Sequence, residues 1–133
     1  MLNIDTETYM IEITRGDTAT IVFSAIYPDG TPYVPKSGDK LSFAVAKKVG
    51  AEPIFTVTNE YGVDADFWGI FLSSENTNKL AFKDYVYDVQ IETADDETGR
   101  TVVETIIGKT DTITPTLRAW GEVASETADE GVV

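Results

Sequence analysis

Cysteine and histidine are both absent from this chain. Without cysteine there is no disulfide, and thiolate-based zinc or redox chemistry is excluded. A small domain without disulfides also fits folding in a reducing cytoplasm. Without histidine, the commonest general base and the commonest metal ligand are missing. Positive charge is scarce: 10 Lys and Arg stand against 23 Asp and Glu, a net charge of −13. Such a surface repels phosphate backbones and anionic headgroups, so neither nucleic acid nor a membrane is an expected partner. Long apolar runs are missing as well, and no stretch reaches the roughly 20 residues that cross a bilayer. The stretch from Met1 to Glu7 is acidic and has no apolar segment of the secretory-signal kind.

What is present is β-forming material. The 133 residues are 42% hydrophobic, enough for one domain with a real core. Apolar residues alternate over short runs: Tyr9, Ile11, Ile13; Ile21, Phe23, Ala25; Leu41, Phe43, Val45; Trp68, Ile70, Leu72; and Tyr85, Tyr87, Val89, Ile91. Period-two alternation predicts half-buried strands. Turn residues separate them, notably Arg15-Gly16-Asp17, Pro28-Asp29-Gly30-Thr31-Pro32, Asn59-Glu60-Tyr61-Gly62 and Ala94 to Gly99. Ile54 to Thr58 and Thr101 to Ile107 supply further strands, and Lys109 to Thr114 is expected to extend the edge until Pro115 stops it. Ser73 to Leu80 is the one expected helix, with Ser73 or Ser74 as its cap. About seven to eight short strands and one short helix predict an all-β, antiparallel β-sandwich, with a small barrel as the structural alternative. Residues 1–8 read as an N-terminal segment, 9–116 as the sandwich and 117–133 as an acidic tail.

Residues that carry chemistry are few. Arg15-Gly16-Asp17 matches an adhesive tripeptide, but a turn ahead of a β-branched run explains it as well. Asp64-Ala65-Asp66 and Asp95-Asp96-Glu97 lack the spacing of a calcium loop, so no metal is expected there. Glu92 and Glu104 are expected on paired strands across a hairpin, the kind of carboxylate pair a glycosidase uses, although both fall on expected solvent faces. No catalytic residue and no cofactor site is predicted. Tyr33, Tyr61 and Trp68 are the candidate aromatics for surface or sugar binding, against the reading that Trp68 shares the core parity of Ile70 and Leu72. Leu117, Trp120, Val132 and Val133 are apolar, lie outside the expected core strands, and are the candidate assembly contacts. Leu80 followed by Tyr85 and Tyr87 predicts a tyrosine corner, with Tyr85 as the corner and Tyr87 in the core, or the two exchanged.

Ile11 to Thr18, the turn Asp29 to Tyr33, the strand Leu41 to Lys47, the short helix, Tyr85 to Ile91 and the closing Gly108 to Thr114 form a series. In this order it resembles the immunoglobulin-like N-terminal domain of bacteriophage baseplate upper proteins and related small phage virion proteins. The likeness spans Tyr9 to Thr114, and Tyr85-Val86-Tyr87-Asp88 is its most telling piece. It implies an immunoglobulin-like sandwich and a non-catalytic virion structural protein of the tail or baseplate, neck or capsid surface. Such a protein would be made in the host cytoplasm and assembled with other virion proteins in a symmetric multimer. Larger relatives continue into further domains, whereas an acidic stretch follows here, which favours a small stand-alone piece. The alternative is a carbohydrate- or host-surface-binding module whose partner is a glycan.

Overall fold

A computed structural model describes residues 2–5, 7–24, 26–27, 29–64, 67–94 and 97–120. Their elements are β1 (Leu2–Asp5), β2 (Met10–Thr14), β3 (Ala19–Val22), β4 (Lys40–Ala46), β5 (Pro53–Glu60), β6 (Gly69–Leu72), α1 (Ser74–Asn78), β7 (Asp84–Ala94), β8 (Thr101–Ile107) and β9 (Thr116–Trp120). They make an all-β sandwich of unequal layers. One sheet has seven strands in the order β1-β2-β9-β7-β4-β5, with β8 branching from β7; the other is the two-stranded pair β3-β6.

Alternation decides what is buried. Leu41, Phe43 and Val45 of β4 and Val89 of β7 are fully buried, and Ser42, Ala44, Asp88 and Gln90 between them are partly open. Ala19 and Ile21 of β3 and Ile70 and Leu72 of β6 close the core from the smaller sheet. Phe43 and Tyr87 stack at its centre, ring centroids 5.1 Å apart. Burying such side chains is worth roughly 1.5–3 kcal/mol each.

Eleven-residue β7 organises the large sheet. One edge pairs with β4 from Val86 to Glu92. The other is shared: β9 takes Asp84 to Val86 and β8 takes Val89 to Ala94. The helix is short because it acts as a clasp. Ser73 caps it and exchanges bonds with Asn76 in a capping box. The fully buried Thr77 hydroxyl accepts from the Gly16 N–H at 2.9 Å and donates to the Asp17 carbonyl at 2.9 Å. The Arg15–Asp17 turn is thereby tied to α1.

Three expectations change. The described strands number nine, because β1 and β9 come from the segments expected to be terminal. Thr116-Leu117-Arg118-Ala119-Trp120 does alternate, but the acidic composition after it and Pro115 before it hide the strand. Second, the β2–β9 pair is parallel, so the sandwich is not wholly antiparallel. Third, Lys109 to Thr114 is loop, closed by the Thr110 N–H donating to the Ile113 carbonyl at 2.8 Å. Residues 121–133, with Val132 and Val133, lie outside the described residues.

Tyr85 sits in corner geometry. Its hydroxyl accepts from the Ala81 N–H, four residues upstream, at 2.7 Å, beside the fully buried Leu80. Tyr87 is in the core, and its hydroxyl donates to the Tyr9 carbonyl. Tyr9 has φ +59, the left-handed region a side chain rarely adopts, so this bond fixes a strained residue ahead of β2. Tyr85→Phe keeps the ring and leaves the Ala81 N–H without its acceptor. A loss of about 1–3 kcal/mol is expected in urea unfolding; an unchanged midpoint would show that the corner bond adds nothing.

Candidate functional site

Two strands cannot cover a seven-stranded sheet. Where β7 and β8 run past the smaller sheet, their inner face meets the connection between β3 and β4 instead. Register places Glu104 opposite Ile91 and Val102 opposite Thr93. Because Ile91 is a core residue, Glu104 shares its inward side. Ile91, Thr93, Glu104 and Ile106 form one wall of a cleft of about 230 Å³, and Ile26, Tyr27 and Tyr33 form the other. An adjoining hollow of about 360 Å³ shares Tyr27, Tyr33 and Thr93 and adds Val34 and Lys36.

Local bonds hold the loop wall. The Tyr27 N–H donates to the Thr31 carbonyl, and the Gly30 N–H donates to the Tyr27 carbonyl, both at 2.8 Å. Gly30 has φ +91, which suits glycine. The Asp29 carboxylate accepts from the Thr31 hydroxyl at 2.6 Å and the Thr31 N–H at 3.0 Å. Those bonds lower the Asp29 pKa. Further on, the buried Asp39 carboxylate accepts from the Tyr33 hydroxyl and, at 2.9 Å, from the Lys36 N–H. Burial, then the Asp39 bond and charge, push the Tyr33 phenol upward, so Tyr33 stays a neutral donor across the working pH range.

The structure brings the three candidate aromatics together, but not as an open platform. Tyr33 and Tyr61 pack on Trp68 at 5.9 and 6.2 Å between ring centroids. Trp68 is 7% exposed and belongs to the core, as the parity with Ile70 and Leu72 foretold, so it is no surface-binding residue. The aromatic that reaches solvent is Tyr27, edge-on to Tyr33 at 5.9 Å and 50% exposed. Its only sequence signal is its place directly before the Pro28–Pro32 turn.

Other candidates are dispersed. Leu117 is fully buried between β2 and β7 and offers nothing to a partner, which corrects its reading as an assembly contact. Trp120 ends β9, and its side chain lies outside the described residues. Glu92 and Glu104 do not pair: Glu92 stands opposite Val103 and Glu104 opposite Ile91, so the carboxylates project from opposite faces. Arg15 is 8% exposed, donates to the Asn78 carbonyl at 2.9 Å and lies over the Phe82 ring, so the tripeptide is a structural turn. Asp64 accepts from the Glu60 N–H at 2.9 Å in its own turn. Ala65, Asp66, Asp95 and Asp96 lie outside the described residues. Among the described residues no helix is long and apolar enough to cross a membrane.

The cleft therefore offers apolar and aromatic surface with a carboxylate, a threonine and a lysine at its margin. That set suits an apolar protein side chain or the face of a sugar ring. Comparison with known protein families, with curated proteins and with solved structures finds no match.

Proposed function

We propose that this chain is a non-catalytic assembly subunit, a structural component of a bacteriophage particle at the tail or baseplate, neck or capsid surface. The observation that carries the assembly reading is the exposed apolar group at the open end of the sandwich: Ile26 at 72%, Tyr27 at 50% and Val34 at 73%. Contiguous exposed apolar residues mark interaction surfaces. A second group, Val22 and Phe71, lies on the solvent face of β3–β6, where they are diagonal neighbours. The absence of histidine and cysteine from the sequence agrees with a role in binding. The phage assignment, and the immunoglobulin-like version of the sandwich, rest on the sequence resemblance over Tyr9 to Thr114. Purified particles from the host that carries the gene test the reading by mass spectrometry. The chain is expected at a fixed multiple of the particle's symmetry, and its absence from intact particles would overturn the proposal.

The exposed Tyr27 ring beside Thr93 and Glu104 favours one second reading, a carbohydrate- or host-surface-binding module. A glycan array separates the two. Saturable binding lost in Tyr27→Ala would favour the module, and no binding to any glycan would remove it.

A further inference from the structure

Strand β8 forms an edge of the large sheet. β7 takes one side of it, and among the described residues no strand takes the other. Nor does any residue from Thr101 to Ile107 bond to another part of the described chain. Every second residue of β8 therefore turns an N–H and a carbonyl outward, ready for a further strand. Six of the seven residues are β-branched, which suits pairing. Other edges are blunted: β5 starts at Pro53 and is tied to the smaller sheet through Asn59, and β1 has only four residues. β8 holds neither proline nor lysine, and its bulge falls at Ile106, near its end.

Charge selects what can pair there. Glu104 is the one charged residue of β8, Arg100 directly precedes the strand, and both are exposed. Alternation puts both on the cleft side, with Val102 between them. Four residues of extended chain hold them roughly 13 Å apart, too far to meet each other. Neither side chain has a hydrogen bond or ion pair among the described residues. In an antiparallel copy of the same segment the order is reversed. With a two-fold axis at Val102, Arg100 of each copy stands opposite Glu104 of the other, Val102 faces Val102, and Thr101 faces Val103. Opposite charges across such a pair favour it, and like charges oppose it. The overlap of whole strands, centred on Glu104, would set the two carboxylates against each other, so the charges admit the Val102 register and reject that one. In a chain of net charge −13, Arg100 and Glu104 cancel over this stretch, which lowers repulsion where two copies meet.

We propose that two copies of this chain associate through β8, edge to edge and antiparallel about a two-fold axis at Val102, joining their large sheets into one. A contact of this isologous kind closes at two copies. Glu104 and Ile106 of β8 face Ile26 and Tyr27 across the cleft, so the added strand extends that wall of the cleft. The dimer rests on β8 and not on the particle assignment.

Sedimentation velocity of the full chain over a concentration series is the test. A reversible monomer–dimer equilibrium is expected, with alternate amides from Thr101 to Glu104 gaining hydrogen-exchange protection as concentration rises. Arg100→Glu and Glu104→Arg should each weaken the dimer about tenfold, because symmetry places each like-charge pair in the contact twice. Mixing the two single variants should restore association, since two negative charges in one chain then meet two positive charges in the other. The double variant, with both charges exchanged in one chain, should dimerise as the parent does. Both positions are exposed, so all three variants should melt as the parent does. A parent that stays monomeric throughout the series would overturn the proposal and leave the edge to a strand of another protein. Growth beyond two copies, single variants that dimerise like the parent, or a mixture that fails to recover would overturn it as well. These readouts hold whether or not the chain is found in particles, so the two proposals fail separately.

Discussion

Leu117→Ala is expected to destabilise the folded chain by about 2–5 kcal/mol, the range for truncating a buried leucine. Leu117 is fully buried on β9, with Ile11 of β2 on one side in parallel register and Tyr85 of β7 on the other in antiparallel register. With Ile4 of β1 opposite Ile11, the four residues form a row across four strands. The truncation empties the middle of that row beneath Tyr85, whose hydroxyl holds the corner. Urea unfolding of the isolated chain reads the effect directly. Arg118→Ala is the control on the opposite face: its guanidinium pairs with Asp84 at 2.7 Å in solvent, and exposed pairs contribute little. The hydrogen bond from Arg118, with its charge as a smaller contribution, lowers the Asp84 pKa, so what the pair contributes is present above the unfolded carboxylate pKa and fades as pH falls through the folded one. If Leu117→Ala were as stable as Arg118→Ala, Leu117 would belong to a surface rather than to the core.

That contrast also shows where the sequence was readable. Interior strands announced themselves, because burial on one face forces alternation: Leu41-Ser42-Phe43-Ala44-Val45 and Tyr85-Val86-Tyr87-Asp88-Val89 admit no other parity. The capped helix and the Tyr85 corner were legible too, since each depends on residues within a few positions. Leu2–Asp5 and Thr116–Trp120 were not. Each is short, and each is held by pairing rather than by local pattern: Leu2–Asp5 on β2 across one turn, and Thr116–Trp120 on β7 some thirty and β2 more than a hundred residues away. The candidate cleft was half legible. Tyr33 stood out as a loop aromatic, but its partner Asp39 looked like one more acidic residue until the loop brought its carboxylate to the Tyr33 hydroxyl. Glu104 shows the limit most plainly. Its face depends on hairpin register, and a one-residue difference carries a side chain from one face to the other.

The same dependence on distant backbone makes Gly69, among the described glycines, the one least tolerant of a methyl group. Gly69→Ala is expected to cost about 3 kcal/mol or more, the upper end for overpacking. Gly69 is opposite Val22 in the β3–β6 pair. A Cβ there would lie 2.3 Å from the Ile21 carbonyl oxygen and 3.0 Å from the Val22 Cα. Both are backbone atoms, so no side chain can swing aside to make room. Nor can β6 retreat freely, because the Asn59 side-chain amide donates to the carbonyls of Phe67 at 3.1 Å and Gly69 at 2.7 Å. Relief requires β3 to lift from β6, which opens the smaller sheet over Ile21 and Ile70, two of the buried residues that close the core. Gly99→Ala separates this steric effect from glycine's conformational freedom: φ is +72, but nothing lies within 4 Å of the added methyl. It should cost only the left-handed penalty of about 1–2 kcal/mol. Denaturant unfolding of both variants, with hydrogen exchange at Ile21 and Ile70, gives the comparison. Gly69→Ala should lose protection at those two amides and Gly99→Ala should keep it. Equal stability of the two would mean that β3 and β6 do not approach as closely as the sandwich requires.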